Sequence, residues 1–477
     1  MLLITVNLDL YRYEIHSLVK AFYPEEEVKV ITGAQTDESP APFLSVLFTE
    51  HSIGVGGHTA APEGIDCTAK STACKTALKH LLYEVLSART GKQLPWGELI
   101  GIRPTKIAMQ MLQSGKTKEE AAEAMQREHL VSREKAVLAA DIAEREKTVL
   151  SRIHYENGYS LYIGIPFCPT TCLYCSFTSF PIAAWQDRVQ EYLSDLDREM
   201  AQTAELMKGR TLDTIYIGGG TPTSLSAPEL DRLLSSVETY FPLTGVLEFT
   251  VEAGRPDSIA ADKLKVLKDH GVTRISVNPQ TMNDRTLQFI GRQHTAQQVI
   301  DCFNLAREQG FDNINMDIIL GLPGETEADV RYTIAEIEKL QPDDLTVHSL
   351  AIKRASRLAR WIETNGIETI HNTDGTMAIA AAGAERMGLV PYYLYRQKNM
   401  SGNFENTGYA KPGKYGIYNI LIMEEKQSVM ALGAGAISKA VFPDGRIERS
   451  DNCKDIRTYL ENIDDMLERR EKTFRRL

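Results

Sequence analysis

The residues Leu161-Tyr162-Ile163-Gly164-Ile165-Pro166-Phe167-Cys168-Pro169-Thr170-Thr171-Cys172-Leu173-Tyr174-Cys175 pass from a short apolar run into three cysteines spaced C-x3-C-x2-C. Leu161 to Ile165 reads as a strand, so the cysteines lie on the loop that leaves it, where open sites of parallel α/β folds collect. Fully ligated four-iron clusters take four cysteine thiolates. Here only three stand together, and the next cysteine is Cys302. Cys168, Cys172 and Cys175 are therefore candidate ligands of a [4Fe-4S] cluster with one iron left open for a substrate or cofactor. A zinc site completed by a distant histidine and a disulfide pair are the alternatives. Zinc usually takes paired short spacings, and no second pair follows.

Downstream, the rhythm is strand, loop, helix. Strands are expected at Leu161–Ile165, Asp213–Ile217, Leu247–Glu252, Thr273–Val277, Asn313–Ile319 and Leu345–Leu350. Helices are expected at Gln186–Met207, Ala227–Tyr240, Ser258–His270, Thr295–Gln309 and Glu327–Leu340. Six βα repeats argue for a parallel sheet, and their spacing suits a barrel or part of one. Periodicity alone leaves a doubly wound sheet open.

Upstream, Leu2 to Leu10 and Phe43 to Phe48 read as strands and Thr72 to Thr90 as a helix with Leu78, Leu81, Leu82 and Val85 on one face. Lys70, Lys75, Lys79 and Arg89 read as its solvated face. Cys67 and Cys74 read as ordinary thiols, and Trp96 to Lys106 as a packing or contact segment. The expected organisation is an α+β domain of unassigned role at 1–115, a helical linker at 116–155, the βα repeats at 156–352 and a C-terminal extension at 353–477. In that extension Lys353, Arg354, Arg357 and Arg360 form a basic run, three tyrosines crowd Pro391 to Tyr395, and Arg469, Arg470, Arg475 and Arg476 make the tail basic.

The 477 residues carry a net charge of −11, which gives a nucleic-acid partner no general electrostatic help. No apolar run reaches transmembrane length and the N-terminus lacks a basic leader. Seven cysteines, three of them at ligand spacing, suit a reducing cytoplasm. The chain reads as a cytoplasmic monomer with no membrane or nucleic-acid partner.

The cysteine spacing, with aromatic Tyr174 before the last cysteine, resembles the signature of radical S-adenosylmethionine (SAM) enzymes. The longer string from Tyr162 to Cys168 resembles the oxygen-independent coproporphyrinogen III oxidase (coproporphyrinogen dehydrogenase) family, with its HemZ-like branch as the nearest likeness. The resemblance spans about 161 to 442. It implies a partial (β/α)6 TIM-like radical SAM barrel with a separate α+β N-terminal domain and a C-terminal, substrate-covering extension. It implies a [4Fe-4S] cluster and SAM as cofactors, a porphyrinogen or other tetrapyrrole substrate, and a reducing flavodoxin- or ferredoxin-like electron donor.

By the same resemblance Gly219, Gly220 and Thr221 belong to the family's Gly-Gly-Gly motif for the amino and carboxylate end of SAM. Tyr162, Tyr174, Glu252 and Gln280 face the cofactor, Arg292 meets its carboxylate, Asp317 its ribose, and Ala351 and Ile437 its adenosyl part. His294 has no implied role and reads as a surface or capping residue. The implied reaction is hydrogen abstraction from a propionate β-carbon, then loss of CO2 and of a second electron to leave a vinyl group, twice, to give protoporphyrinogen IX. Two departures stand out. Phe177 takes the place of a further cysteine of the dehydrogenase branch, as in the heme-chaperone branch. Yet Gly416-Ile417-Tyr418-Asn419-Ile420 lacks the His and Trp of that branch's heme string. The alternatives are thus a heme-binding chaperone of the superfamily, or a radical enzyme of another tetrapyrrole.

Overall fold

A computed structural model describes residues 1–33, 41–101, 103–353, 356–366, 369–397 and 400–477. The chain forms two compact units, Met1–Glu144 with Arg396–Asn399, and Arg145–Tyr395 with Met400–Leu477. The boundary falls inside the helix Arg133–Leu150, within the expected linker.

In the first unit, strands Leu2–Val6, Val28–Thr32, Leu44–Phe48, Ile53–Val55 and His58–Ala60 form one five-stranded sheet. Helices Arg12–Phe22 and Thr72–Thr90 bury Ile15, Leu18, Phe22, Leu78 and Leu82 against it. Trp96 is fully buried, and Glu98, 1% exposed, is held by Lys79 at 3.2 Å, His129 at 3.1 Å and His80 at 3.4 Å. The segment around Trp96 is thus a packing motif, and Lys79 leaves the expected solvated face to neutralise a buried carboxylate. Cys67 and Cys74 are both buried, with Sγ atoms 2.6 Å apart.

The second unit is built on β1 (Gly158–Ile165), β2 (Thr211–Gly219), β3 (Glu248–Glu252), β4 (Arg274–Ser276), β5 (Ile314–Leu320) and β6 (Asp344–Ser349). These pair in parallel in sequence order. The intervening helices include α1 (Val189–Leu206), α2 (Ala227–Tyr240), α3 (Ala261–Asp269), α4 (Ala296–Glu308) and α5 (Glu327–Leu340). The expected partial barrel of six βα units is what forms. β1 and β5 are buried along almost their whole length, as strands covered on both faces must be. Helix starts are fixed locally: at α4 the Thr295 Oγ1 accepts from Gln298 N at 3.3 Å and the Gln298 Oε1 from Thr295 N at 2.9 Å.

Segments after β6 extend both edges of the sheet. β7 (Val390–Tyr395) and β8 (Asn406–Ala410) add antiparallel strands beside β6. β9 (Ser428–Leu432) pairs in parallel with β1, followed by antiparallel β10 (Ile437–Val441) and β11 (Ile447–Asp451). The tail is not uniformly solvated. Arg470, 1% exposed, donates to Glu199 on α1, which also accepts from Tyr459 Oη at 2.6 Å, Asn452 Nδ2 at 2.7 Å and Gly433 N at 2.6 Å. Arg470 is therefore a core residue, not part of a basic surface. No helix among the described residues is long and apolar enough to cross a membrane.

Candidate functional site

The cysteine loop is anchored before any ligand is considered. Leu173 N donates to Ile290 O at 2.9 Å, Leu358 N to Leu173 O at 2.9 Å, and Thr170 Oγ1 to Gly291 O at 3.1 Å. Leu173 and Tyr174 pack on Leu287, Ile290, Leu322, Leu350 and Leu358. Cys168 and Cys172 are 8% exposed and Cys175 half-buried; all three are free thiols. Each sulfur has a donor beside it: Thr221 Oγ1 3.4 Å from Cys168, Arg255 Nη1 3.5 Å from Cys172, and Ser179 Oγ 3.7 Å from Cys175. Burial pushes the Cys168 thiol up to about 11 and also raises Cys175.

Three thiols on one anchored loop, with donors aimed at sulfur, fit the thiolate set of an iron–sulfur cluster.

The carboxyl ends of the strands lie level beside this loop: Ile165 pairs with Gly219, Glu252 with Ser276, and Leu320 with Ser349. Glycine is required after β2. A Cβ on Gly220 would stand 2.6 Å from Phe167 O and 2.9 Å from Ile165 O. The N–H groups of Gly220 and Thr221 donate to Ile165 O and Phe167 O at 2.8 and 2.7 Å. They hold the strand that leads to the cysteines.

Glu252 ends β3, accepts a short hydrogen bond from Tyr216 Oη, and burial pushes its carboxyl up to about 7. Tyr162, Tyr216 and Tyr418 stack with ring centroids 4.6 to 6.2 Å apart. Gln280 takes the left-handed conformation, at φ 68°, and its Oε1 is buried without a partner. Arg292 is buried, donates from Nη1 to Asn278 O at 2.6 Å, and lies against the Tyr174 hydroxyl, with Nε unpaired. Asp317 accepts from Asn315 Nδ2 at 2.7 Å and has His348 Nε2 at 3.7 Å. Burial would raise the Asp317 carboxyl, but His348 and Asn315 hold it below its ordinary value.

Ala351 pairs singly with Met400 just past β6. Ile437 opens β10 and is 42% exposed; it follows a turn at Gly433 tied down by Glu199. A Cβ at Gly435 would be 2.6 Å from Thr178 Oγ1, so this turn packs on the residues after Cys175. Of the basic run, Lys353 is half-buried and Arg357 and Arg360 are exposed on the helix Arg357–Asn365, whose start docks on Leu173; Arg354 lies outside the described residues. His294 overturns its surface reading: its side chain is fully buried 3.8 Å from Asp257. Arg255, Tyr216 and His348 were not foreseen. Their one signal in sequence is a polar residue in or just after an apolar strand.

Glu252 gives a pH prediction. Its folded value of about 7 lies above the ordinary 4.5, so the native state of the metal-free protein holds a proton the unfolded chain has lost. That contribution is complete below pH 4.5 and disappears as pH rises through 7. Urea midpoints of metal-free protein are expected to carry a component that falls across this window, and Glu252→Gln is expected to flatten it. An unchanged slope in the variant contradicts the assignment.

A Radical SAM superfamily family model matches residues 162–337. The oxygen-independent coproporphyrinogen-III oxidase-like protein HemZ of Bacillus subtilis (strain 168) is 40% identical over 470 residues, covering 94% of this chain and 93% of that one. The heme chaperone HemW of Escherichia coli (strain K12) is 31% identical over 305 residues, covering 63% of this chain and 75% of that one. Among solved structures, the radical SAM coproporphyrinogen III oxidase HemN from Escherichia coli superposes with a TM-score of 0.51 at 22% identity, over 67% of this chain and 72% of its own. That likeness concerns the fold.

Proposed function

Because the chain belongs to the radical SAM superfamily, in the oxygen-independent coproporphyrinogen-III oxidase-like group that includes HemZ, its cofactors are a [4Fe-4S] cluster and SAM, and we propose that it converts coproporphyrinogen III to protoporphyrinogen IX in heme biosynthesis. The observation that carries this reading is the anchored three-cysteine loop at the level carboxyl ends of six parallel strands. When bound and supplied with one electron, the cluster and SAM furnish a 5′-deoxyadenosyl radical that takes hydrogen from a substrate carbon.

The chain's own residues bind, orient and exclude water. Cys168, Cys172 and Cys175 would hold the cluster and leave one iron for the amino and carboxylate groups of SAM. The Gly219–Gly220 turn would lie beside its amino group, and Arg292, fixed by Tyr174, would meet its carboxylate. Asp317 accepts from the ribose hydroxyls, steered by Asn315 and His348. Glu252, Gln280, Thr221 and Tyr162 line the same strand ends, and Ala351 and Ile437 bound the adenosyl side. Lys353, Arg357 and Arg360 offer positive charge to propionates, next to the cysteine loop. A low-potential flavodoxin- or ferredoxin-like protein is the electron donor.

Oxygen-free, iron-loaded protein given SAM, reductant and coproporphyrinogen III is expected to release CO2 and 5′-deoxyadenosine together, one of each per propionate. SAM cleavage without CO2 rejects this substrate. Phe177 supports a second reading. It is 75% exposed where the dehydrogenase branch carries a cysteine, which suits a flat macrocycle held rather than turned over; stable heme binding without CO2 release is its signature. Asp317→Ala is expected to weaken SAM binding about tenfold or more, since hydrogen bonds to a charged group contribute about 1.5–3 kcal/mol, with cluster iron unchanged. Equilibrium dialysis of labelled SAM measures it, and loss of iron makes Asp317 structural.

A further inference from the structure

The run leaving β3, Ala253-Gly254-Arg255-Pro256-Asp257, brings a second arginine to the cysteine loop. Arg255 is 2% exposed and spends its donors on three partners. Nε and Nη2 bind Asp257 at 2.8 and 2.7 Å. Nη2 also reaches Thr170 Oγ1 at 3.0 Å, and Nη1 reaches Thr170 O at 3.2 Å and Cys172 Sγ at 3.5 Å. A planar fork clamped on a carboxylate is held in one orientation, which a lysine cannot reproduce. Behind Asp257 stands His294, with neither ring nitrogen hydrogen-bonded. The result is a buried strut from Asp257 through Arg255 to the sulfur of Cys172.

We propose that Arg255 is a positioning residue that also sets the reduction potential of the iron–sulfur cluster, by donating an N–H to the Cys172 sulfur while Asp257 moderates its charge. This rests on Cys172 being a cluster ligand. One-electron reduction adds a negative charge, with no proton, spread over irons and sulfurs. A donor aimed at sulfur stabilises that more negative state, and hydrogen bonds to sulfur are among the factors that set such potentials. Burial keeps water from screening the effect. The arginine therefore makes the cluster easier to reduce, and the carboxylate beside it keeps that gain in check.

The test is a dye-mediated redox titration of the reconstituted full chain, read by electron paramagnetic resonance, with iron per chain measured on the same samples. Arg255→Met is expected to lower the midpoint by about 59 mV, a tenfold loss in the reduction equilibrium. Asp257→Asn, which leaves Arg255 in place, is expected to raise it. Equal iron with an unmoved midpoint in Arg255→Met overturns the proposal and leaves Arg255 a strut. If Arg255→Met cannot hold iron, Asp257→Asn decides: a midpoint unchanged or lowered overturns it. Wild-type protein with no cluster at Cys172 would refute the ligand assignment itself, and this proposal with it.

Discussion

Alanine at Cys168, Cys172 or Cys175 is expected to remove most bound iron and all SAM cleavage, with the fold retained. The loop itself holds no fourth cysteine. Cys302 spends its thiol on Pro256 O at 3.4 Å, Cys67 lies beside Cys74 in the other unit, and half-buried Cys453, whose carbonyl accepts from Gly435 N at 2.8 Å, needs its own alanine control. The loop itself stands on backbone hydrogen bonds and on the packing of Leu173 and Tyr174, so the metal-free variants should melt close to wild type. Iron per chain, the visible absorbance of the cluster and 5′-deoxyadenosine release are the readouts. Cys302→Ala is the control and should keep all three. A variant of the loop that still cleaves SAM refutes the ligand set.

Arg470→Met is expected to destabilise the second unit by about 3–5 kcal/mol, the usual result of breaking one side of a buried ion pair. Glu199 would keep Tyr459, Asn452 and Gly433 N as donors but lose its cation in a site without water access. Urea unfolding of metal-free protein measures the loss; less than 1 kcal/mol would mean that the neutral donors suffice. Because Gly433 leads the turn to Ile437, SAM affinity should fall as well, and by less than in Asp317→Ala.

The six βα units were legible because each strand centres on buried β-branched or apolar residues between polar turns and alternates with a helix of helical periodicity. α2 and α5 fall on the expected residues, and the strands differ from expectation by up to three residues at an end. The cysteine loop was legible because its ligands are local. What escaped has partners far apart in sequence. Arg470 and Glu199 are separated by 271 residues, on two helices that nothing local in the sequence pairs. His294 looked like a surface residue because nothing near it in the chain foretells Asp257 closing over it. The left-handed backbone of Gln280 had no signal either, because glutamine carries no preference for it.

The pairing of β9 with β1 bears on how the molecule is made. The strand that leads to the cysteines has its outer border covered by Ser428–Leu432, a segment synthesised long after it. Until that segment leaves the ribosome, β1 exposes a row of unmet backbone amides and carbonyls, a template for intermolecular pairing. Iron delivered to the nascent cysteines would arrive at a half-finished sheet, so maturation in the cell should follow synthesis of β9.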